Sequence, residues 1–299
     1  MALQVDLLLD RARLITMDDG RPGPLSGVGQ QRLGLIEDGA VAVLDGCVAA
    51  LGPRDAVLRQ VEPIHTFDAE GAAVLPGLVD CHTHPLWAGS RVDEFERRLA
   101  GATYLEIMDA GGGIASTVRA TRQASDSELL ELLLHRLDRF LVLGTTTLEA
   151  KTGYGLAAAE ELRQLRLLRR ADEDHPVRLA ITFLGAHALP EEMAGAPEAY
   201  VDSVIDEMLP AVAAGHGDVA CDVFCDRGFF SVEESRAILS AARDRGLELK
   251  LHADELAAIG AAELAAELGA CSADHLEKVP PRAIKALADR GVIAGLLPG

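Results

Sequence analysis

Residues 76–91 read PGLVDCHTHPLWAGSR: a short apolar run that ends at two histidines spaced by one residue. On an extended chain alternate side chains point the same way, so His82 and His84 present their imidazoles together. The texture around them recurs downstream. Short β-rich runs at 74–81, 145–150, 178–184, 218–225, 247–252, 271–274 and 292–297 alternate with helical stretches such as 125–143, 157–172, 231–245 and 257–268. Such alternation predicts βαβ units on a parallel sheet. Several of the runs are continuously apolar, as strands covered on both faces should be. These seven β/α units are one short of a (β/α)8 barrel of the TIM type, in which functional residues sit at the C-terminal strand ends.

The preceding segment differs. Residues 4–16 are strand-like, and residues 34–53 (GLIEDGAVAVLDGCVAALGP) hold Asp38-Gly39 and Asp45-Gly46 between apolar stretches, both hairpin signals. The expected organisation is an N-terminal β subdomain over 1–70 followed by a barrel over 71–299.

The 299 residues carry 28 Lys plus Arg against 47 Asp plus Glu, a net charge of −19. That sign repels phosphate backbones and anionic membrane surfaces, so neither nucleic acid nor membrane is an expected partner. An anionic substrate would need a local cation to hold it. The five widely spread cysteines do not make a disulfide framework and suit a reducing cytoplasm. Asp6 and Asp10 interrupt the first apolar run, which lacks the basic start of a signal peptide. No uninterrupted apolar stretch is long enough to span a bilayer.

Five of the nine histidines fall at predicted strand ends: His82, His84, His187, His252 and His275. His65, His135, His175 and His216 fall in helices or loops and read as surface or capping residues. Imidazoles gathered at a barrel mouth suit zinc or iron. Such an ion brings its water's pKa to about 7, and Glu255, three residues after His252, is placed to move the proton. As a purely structural residue, Glu255 would be a carboxylate at a helix start. Gly111–Gly113 leads into a helix without the Lys-Ser/Thr of a phosphate-binding loop. Cys221 and Cys225 read as small core residues, Lys151 as a solvated lysine rather than a catalytic one, and Asp222 as a strand carboxylate. The absence of a lysine at that strand position favours one metal over two.

These segments together resemble a known family. HTHPLWAGSR, TYLEIMDAGGGI, TLEAKTGYGL, TFLGAHALP, KLHADE and ADHLE follow in the order found in imidazolonepropionases of the amidohydrolase superfamily, through almost the whole chain. The resemblance implies a TIM-type amidohydrolase barrel with an N-terminal β-sandwich subdomain, and one zinc or iron ion. It also implies hydrolytic opening of 4-imidazolone-5-propanoate to N-formimidoyl-L-glutamate. His82, His84 and His252 would be metal ligands, Glu255 the proton carrier for water, and His275 the group that polarises the ring carbonyl. Arg91, Tyr154, His187 and Tyr104 would hold the substrate, with Arg91 a natural partner for its carboxylate. The implied partner is a small anionic substrate, with a homodimer the possible assembly.

In one respect the sequence departs from the family pattern. The family continues past LLPG (296–299) into an eighth strand that carries an Asp ligand, then into strands that finish the sandwich. A barrel short of that unit is expected to leave strand edges unpaired, and the 299-residue chain alone is expected to be poorly stable and inactive. Two rival readings use the same residues. One is an aminohydrolase of a cyclic base, of the cytosine or guanine deaminase kind, in which Arg91 has no obvious use. The other is a metal-binding fragment that turns nothing over.

Overall fold

The computed structural model describes every residue except 1, 19, 21–24, 26, 104, 105, 108, 109 and 299. Tyr104 therefore lies outside the described residues. The chain divides into two compact units, Met1–Gly77 and Leu78–Gly299.

The first unit is a five-stranded mixed sheet. β1 (Leu3–Ile15) lies between β2 (Leu35–Leu44), antiparallel to it, and β4 (Val61–Asp68), parallel to it. β3 (Cys47–Pro53) pairs with β2, and β5 (Ala73–Val74) pairs with the end of β1. Of the two Asp-Gly signals, only one is a turn. Asp45 and Gly46 both have positive φ, 50° and 73°, as the tight two-residue hairpin between β2 and β3 requires. Asp38-Gly39 instead lies inside β2, with Gly39 opposite Ala12 and Pro53. A Cβ on Gly39 would fall 2.5 Å from the Leu14 side chain, so close packing rather than chain reversal explains that glycine. His65, expected in a helix or loop, is exposed on β4.

The second unit is an α/β fold on a seven-stranded sheet. Its strands run in chain order: β6 (Leu78–Asp80), β7 (Thr145–Lys151), β8 (Arg178–Ala186), β9 (Ala220–Cys225), β10 (Glu248–Ala253), β11 (Ser272–His275) and β12 (Ile293–Gly295). All neighbouring pairs are parallel. The sheet is curled: His82, just past β6, reaches Asp274 on β11 at 2.8 Å, although four strands separate them. Helices pack against the sheet because their apolar residues recur on one face. In the helix Asp126–Val142 the buried residues are Leu129, Leu133 and Leu137, at a strict spacing of four. That helix and Val232–Asp244 each start at a reciprocal Ser–Glu capping box, Ser125 with Glu128 and Ser231 with Glu234. Each such cap contributes about 1 kcal/mol.

All six residues of β9, ACDVFC, are buried, Cys221 and Cys225 among them, as their small-core reading requires. No helix among the described residues is long and apolar enough to cross a membrane. The two edge strands expose Leu78, Val79 and Ile293.

Candidate metal centre at the strand ends

Parallel register aligns the strand ends. Ala253 at the end of β10 pairs with Cys225 on one side and His275 on the other, while His252 pairs with Phe224 and Asp274. His82 and His84 follow β6 in the loop that leaves it, His187 follows β8, and Tyr154 sits in the loop after β7. All of them, with Arg91, Glu255 and His275, line one cavity of about 450 Å³. Of the residues singled out in the sequence, only Tyr104 cannot be placed there.

His82, His84 and His252 offer ring nitrogens that all lie within 4.8 Å of one another. The Nε2 atoms of His84 and His252 are 3.3 Å apart. Two nitrogens bound to one ion at about 2.0–2.1 Å in tetrahedral geometry would stand about 3.3–3.4 Å apart. The opposite ring edges of His82 and His252 face carboxylates. His82 Nδ1 donates to Asp274 Oδ2 at 2.8 Å, since a carboxylate can only accept. His252 Nδ1 lies 2.9 Å from Asp222 Oδ2, a close electrostatic contact rather than an aligned hydrogen bond. Both arrangements leave Nε2 free as a donor to a cation. Burial pulls the His252 imidazole down to about 3 and holds His84 well below the usual range, so both rings stay neutral, the form that ligates. His84 Nδ1 is buried without a hydrogen-bond partner. The donor set thus fits a divalent ion that accepts imidazole.

His187 Nδ1 donates to the Gly153 carbonyl at 2.9 Å, and burial pulls that ring down to about 4. Gly153 has φ of +110°, and a Cβ there would come within 2.9 Å of the same ring nitrogen. The loop between them is pinned by Glu161, whose buried carboxylate accepts from the backbone of Gly153, Gly155 and Leu156. Arg91 Nε donates to Glu94 Oε2 at 2.7 Å. Glu94 in turn accepts from Gly113 N and Ser116 Oγ, so the glycine-rich turn steadies an arginine's partner.

Glu255 is not at a helix start, because the next helix begins at Ala261. It sits in a loop that two buried aspartates secure. Asp226 accepts from the amides of Leu256 and Ala257, and Asp254 from those of Ile259, Gly260 and Ala261. Asp254 and His275 hold positive φ values of 50° and 74°, strained for residues with a Cβ. His275 Nε2 stands 3.5 Å from Glu255 Oε2.

Burial pushes the Glu255 carboxyl up to about 7, helped by Glu277 and Asp226. The folded value lies above the ordinary 4.5, so folding favours the protonated acid. That contribution is full below about 4.5 and is lost as pH rises through about 7. In the metal-free chain, Glu255→Gln should therefore gain melting temperature relative to wild type between pH 5 and pH 8. Parallel melting profiles across that range would contradict the shift.

The sequence reading passed over the polar layer beneath the imidazoles. Lys151 is not solvated, as its sequence context suggests, but completely buried. On β7 it shares the inward face with Glu149, two residues earlier, and three carboxylates compensate its charge: Asp222 at 2.6 Å, Glu149 at 3.0 Å and Asp274 at 3.2 Å. Asp222, Asp274, Asp226, Asp254 and Glu161 were likewise missed as supports. The available signal was a charged residue inside an apolar strand, as in TLEAK and ACDVFC.

No family model matches the chain. Two solved structures similar in fold are a zinc-bound adenosine deaminase from Xanthomonas campestris and a triazine hydrolase from Arthobacter aurescens. The first has a TM-score of 0.66 at 18% identity and covers 100% of this chain and 64% of its own. The second has a TM-score of 0.67 at 19% identity and covers 97% and 65%. The fold shared with these structures is a curled parallel sheet; together with the curated relatives that follow, it makes the chain a hydrolase of the amidohydrolase superfamily, acting on carbon–nitrogen bonds. Among curated relatives, the imidazolonepropionase of Symbiobacterium thermophilum is 51% identical over 300 residues, 99% of this chain and 70% of the relative. That of Geobacillus kaustophilus is 47% identical over 298 residues, 98% and 70%. The chain belongs to the imidazolonepropionase family. It spans about 70% of the length of these relatives.

Proposed function

We propose that the site opens the ring of 4-imidazolone-5-propanoate with water, giving N-formimidoyl-L-glutamate in histidine degradation. The observation that carries this reading is Arg91 in the same cavity as the three clustered imidazoles and Glu255. An acidic chain has placed a guanidinium where a small anionic substrate would lie.

His82, His84 and His252 would hold one zinc or iron ion. Such an ion polarises a carbonyl and makes its water acidic enough to ionise near pH 7. The rest of the work falls to side chains. Glu94 holds Arg91 by Nε and leaves the terminal guanidinium nitrogens for the propionate carboxylate. His187, neutral and tethered to Gly153, presents Nε2 to a ring N–H, and Tyr154 lies beside it at 5.3 Å between ring centroids. Glu255 takes a proton from the attacking water and returns it to the ring nitrogen as the C–N bond breaks. His275 donates to the carbonyl oxygen as it gains charge. Tyr104 is a further candidate for holding the substrate.

On the same reading the seven strands are those of a (β/α)8-type barrel short of one unit, and the N-terminal sheet is part of a β-sandwich. The protein works in the cytoplasm, with a homodimer as its assembly and no nucleic-acid or membrane partner.

The test is ring opening by the enzyme at the full length of its relatives, as wild type and as Arg91→Ala. Loss of a charge-assisted pair costs about 1.5–3 kcal/mol, so kcat/KM for imidazolonepropionate should fall by about 10- to 100-fold. A substrate analogue without the carboxylate should lose far less. Equal losses would make Arg91 structural and favour an aminohydrolase of a cyclic base.

A further inference from the structure

We infer that Lys151 is a positioning residue of the metal centre: its ammonium fixes the two aspartates that face Nδ1 of His252 and His82. The inference rests on the reading of His82, His84 and His252 as metal ligands. Lys151 Nζ lies 2.6 Å from Asp222 Oδ2, the oxygen that faces His252 Nδ1 at 2.9 Å. It also lies 3.2 Å from Asp274 Oδ2, the oxygen that accepts from His82 Nδ1 at 2.8 Å. One ammonium thus touches the very oxygens that orient two of the three rings. The other Asp222 oxygen accepts from the His252 amide at 3.1 Å, so this carboxylate has little freedom to rotate.

The charges explain why a cation is needed there. Donor atoms of His82, Glu149 and Asp274 lie within 4.8 Å of one another, and without a cation the carboxylates would repel each other. Lys151 contacts both carboxylates and Asp222 while fully buried. Lys250, 2.7 Å from Glu149, is the second cation of the cluster, and among the described residues it pairs with that glutamate alone. A buried ion cluster is poor evidence for stability, because desolvation offsets the attraction. Ring orientation is the role that this geometry supports.

The experiment is cobalt(II) titration of the full chain as wild type, K151M and K250M, followed by visible d–d absorption and by metal content after gel filtration. K151M should bind cobalt about 10- to 100-fold more weakly, the usual cost of losing a partner behind the ligands, with shifted d–d bands. K250M should keep wild-type affinity and spectrum. Equal weakening in both variants would mean that nearby charge alone matters, and would overturn the inference. So would K151M with a lower melting temperature but unchanged cobalt affinity and bands. If K151M does not fold, K151Q, which keeps hydrogen-bond donors without the charge, is read in its place, and wild-type affinity there overturns the inference. Wild type failing to bind cobalt would instead refute the metal-ligand reading itself.

Discussion

Glu255→Gln is expected to lower kcat for ring opening by about 100- to 10,000-fold, the usual contribution of a positioned proton carrier. Metal content should not change, because Glu255 is outside the three-imidazole cluster. The amide keeps the shape of the carboxylate but cannot accept the proton from water. Glu255 is suited to the task by its surroundings: burial, Glu277 and Asp226 bring it to about 7, where it can both take and return a proton near neutrality. Its loop is secured by Asp226 and Asp254, so little reorganisation is needed to bring it to the water. Single-turnover rates with wild type and the variant, each checked for metal content, decide the matter. A variant within a few-fold of wild type would remove Glu255 from proton transfer and leave His275 as the group to examine.

The second large effect is expected from His82→Ala. His82 is one of three clustered imidazoles, and its Nδ1 proton goes to Asp274, so on the proposed reading its loss would remove a ligand and leave a buried carboxylate facing a void. Metal affinity should fall by more than the roughly 10- to 100-fold typical of a lost partner behind a ligand, and ring opening should become undetectable. Elemental analysis of the purified variant, with circular dichroism to confirm folding, provides the check. Normal metal occupancy with normal turnover would end the assignment of this histidine.

Much of this site could be read from the sequence because parallel sheets encode it locally. His82 and His84 close one apolar run, His252 another, and a parallel sheet gathers strand ends whatever their distance along the chain. The supports were hidden for the complementary reason. Lys151 meets Asp222 and Asp274 across 71 and 123 residues, and His82 meets Asp274 across 192. No local pattern distinguishes a lysine that will be enclosed by three carboxylates from one that will face water. Asp38-Gly39 shows the limit at short range: its composition suits a turn, but Leu14 packs over the glycine and the strand continues through it with a shift of register against β1.

The enclosed layer of Lys151, Glu149, Asp222 and Asp274 is also shut off from solvent. Each of these side chains is at most 3% exposed, and together they stop up the sheet's interior directly under the imidazoles. Arg91, exposed on the lining of the cavity, would on the proposed reading meet the carboxylate of the departing product as well as that of the arriving substrate.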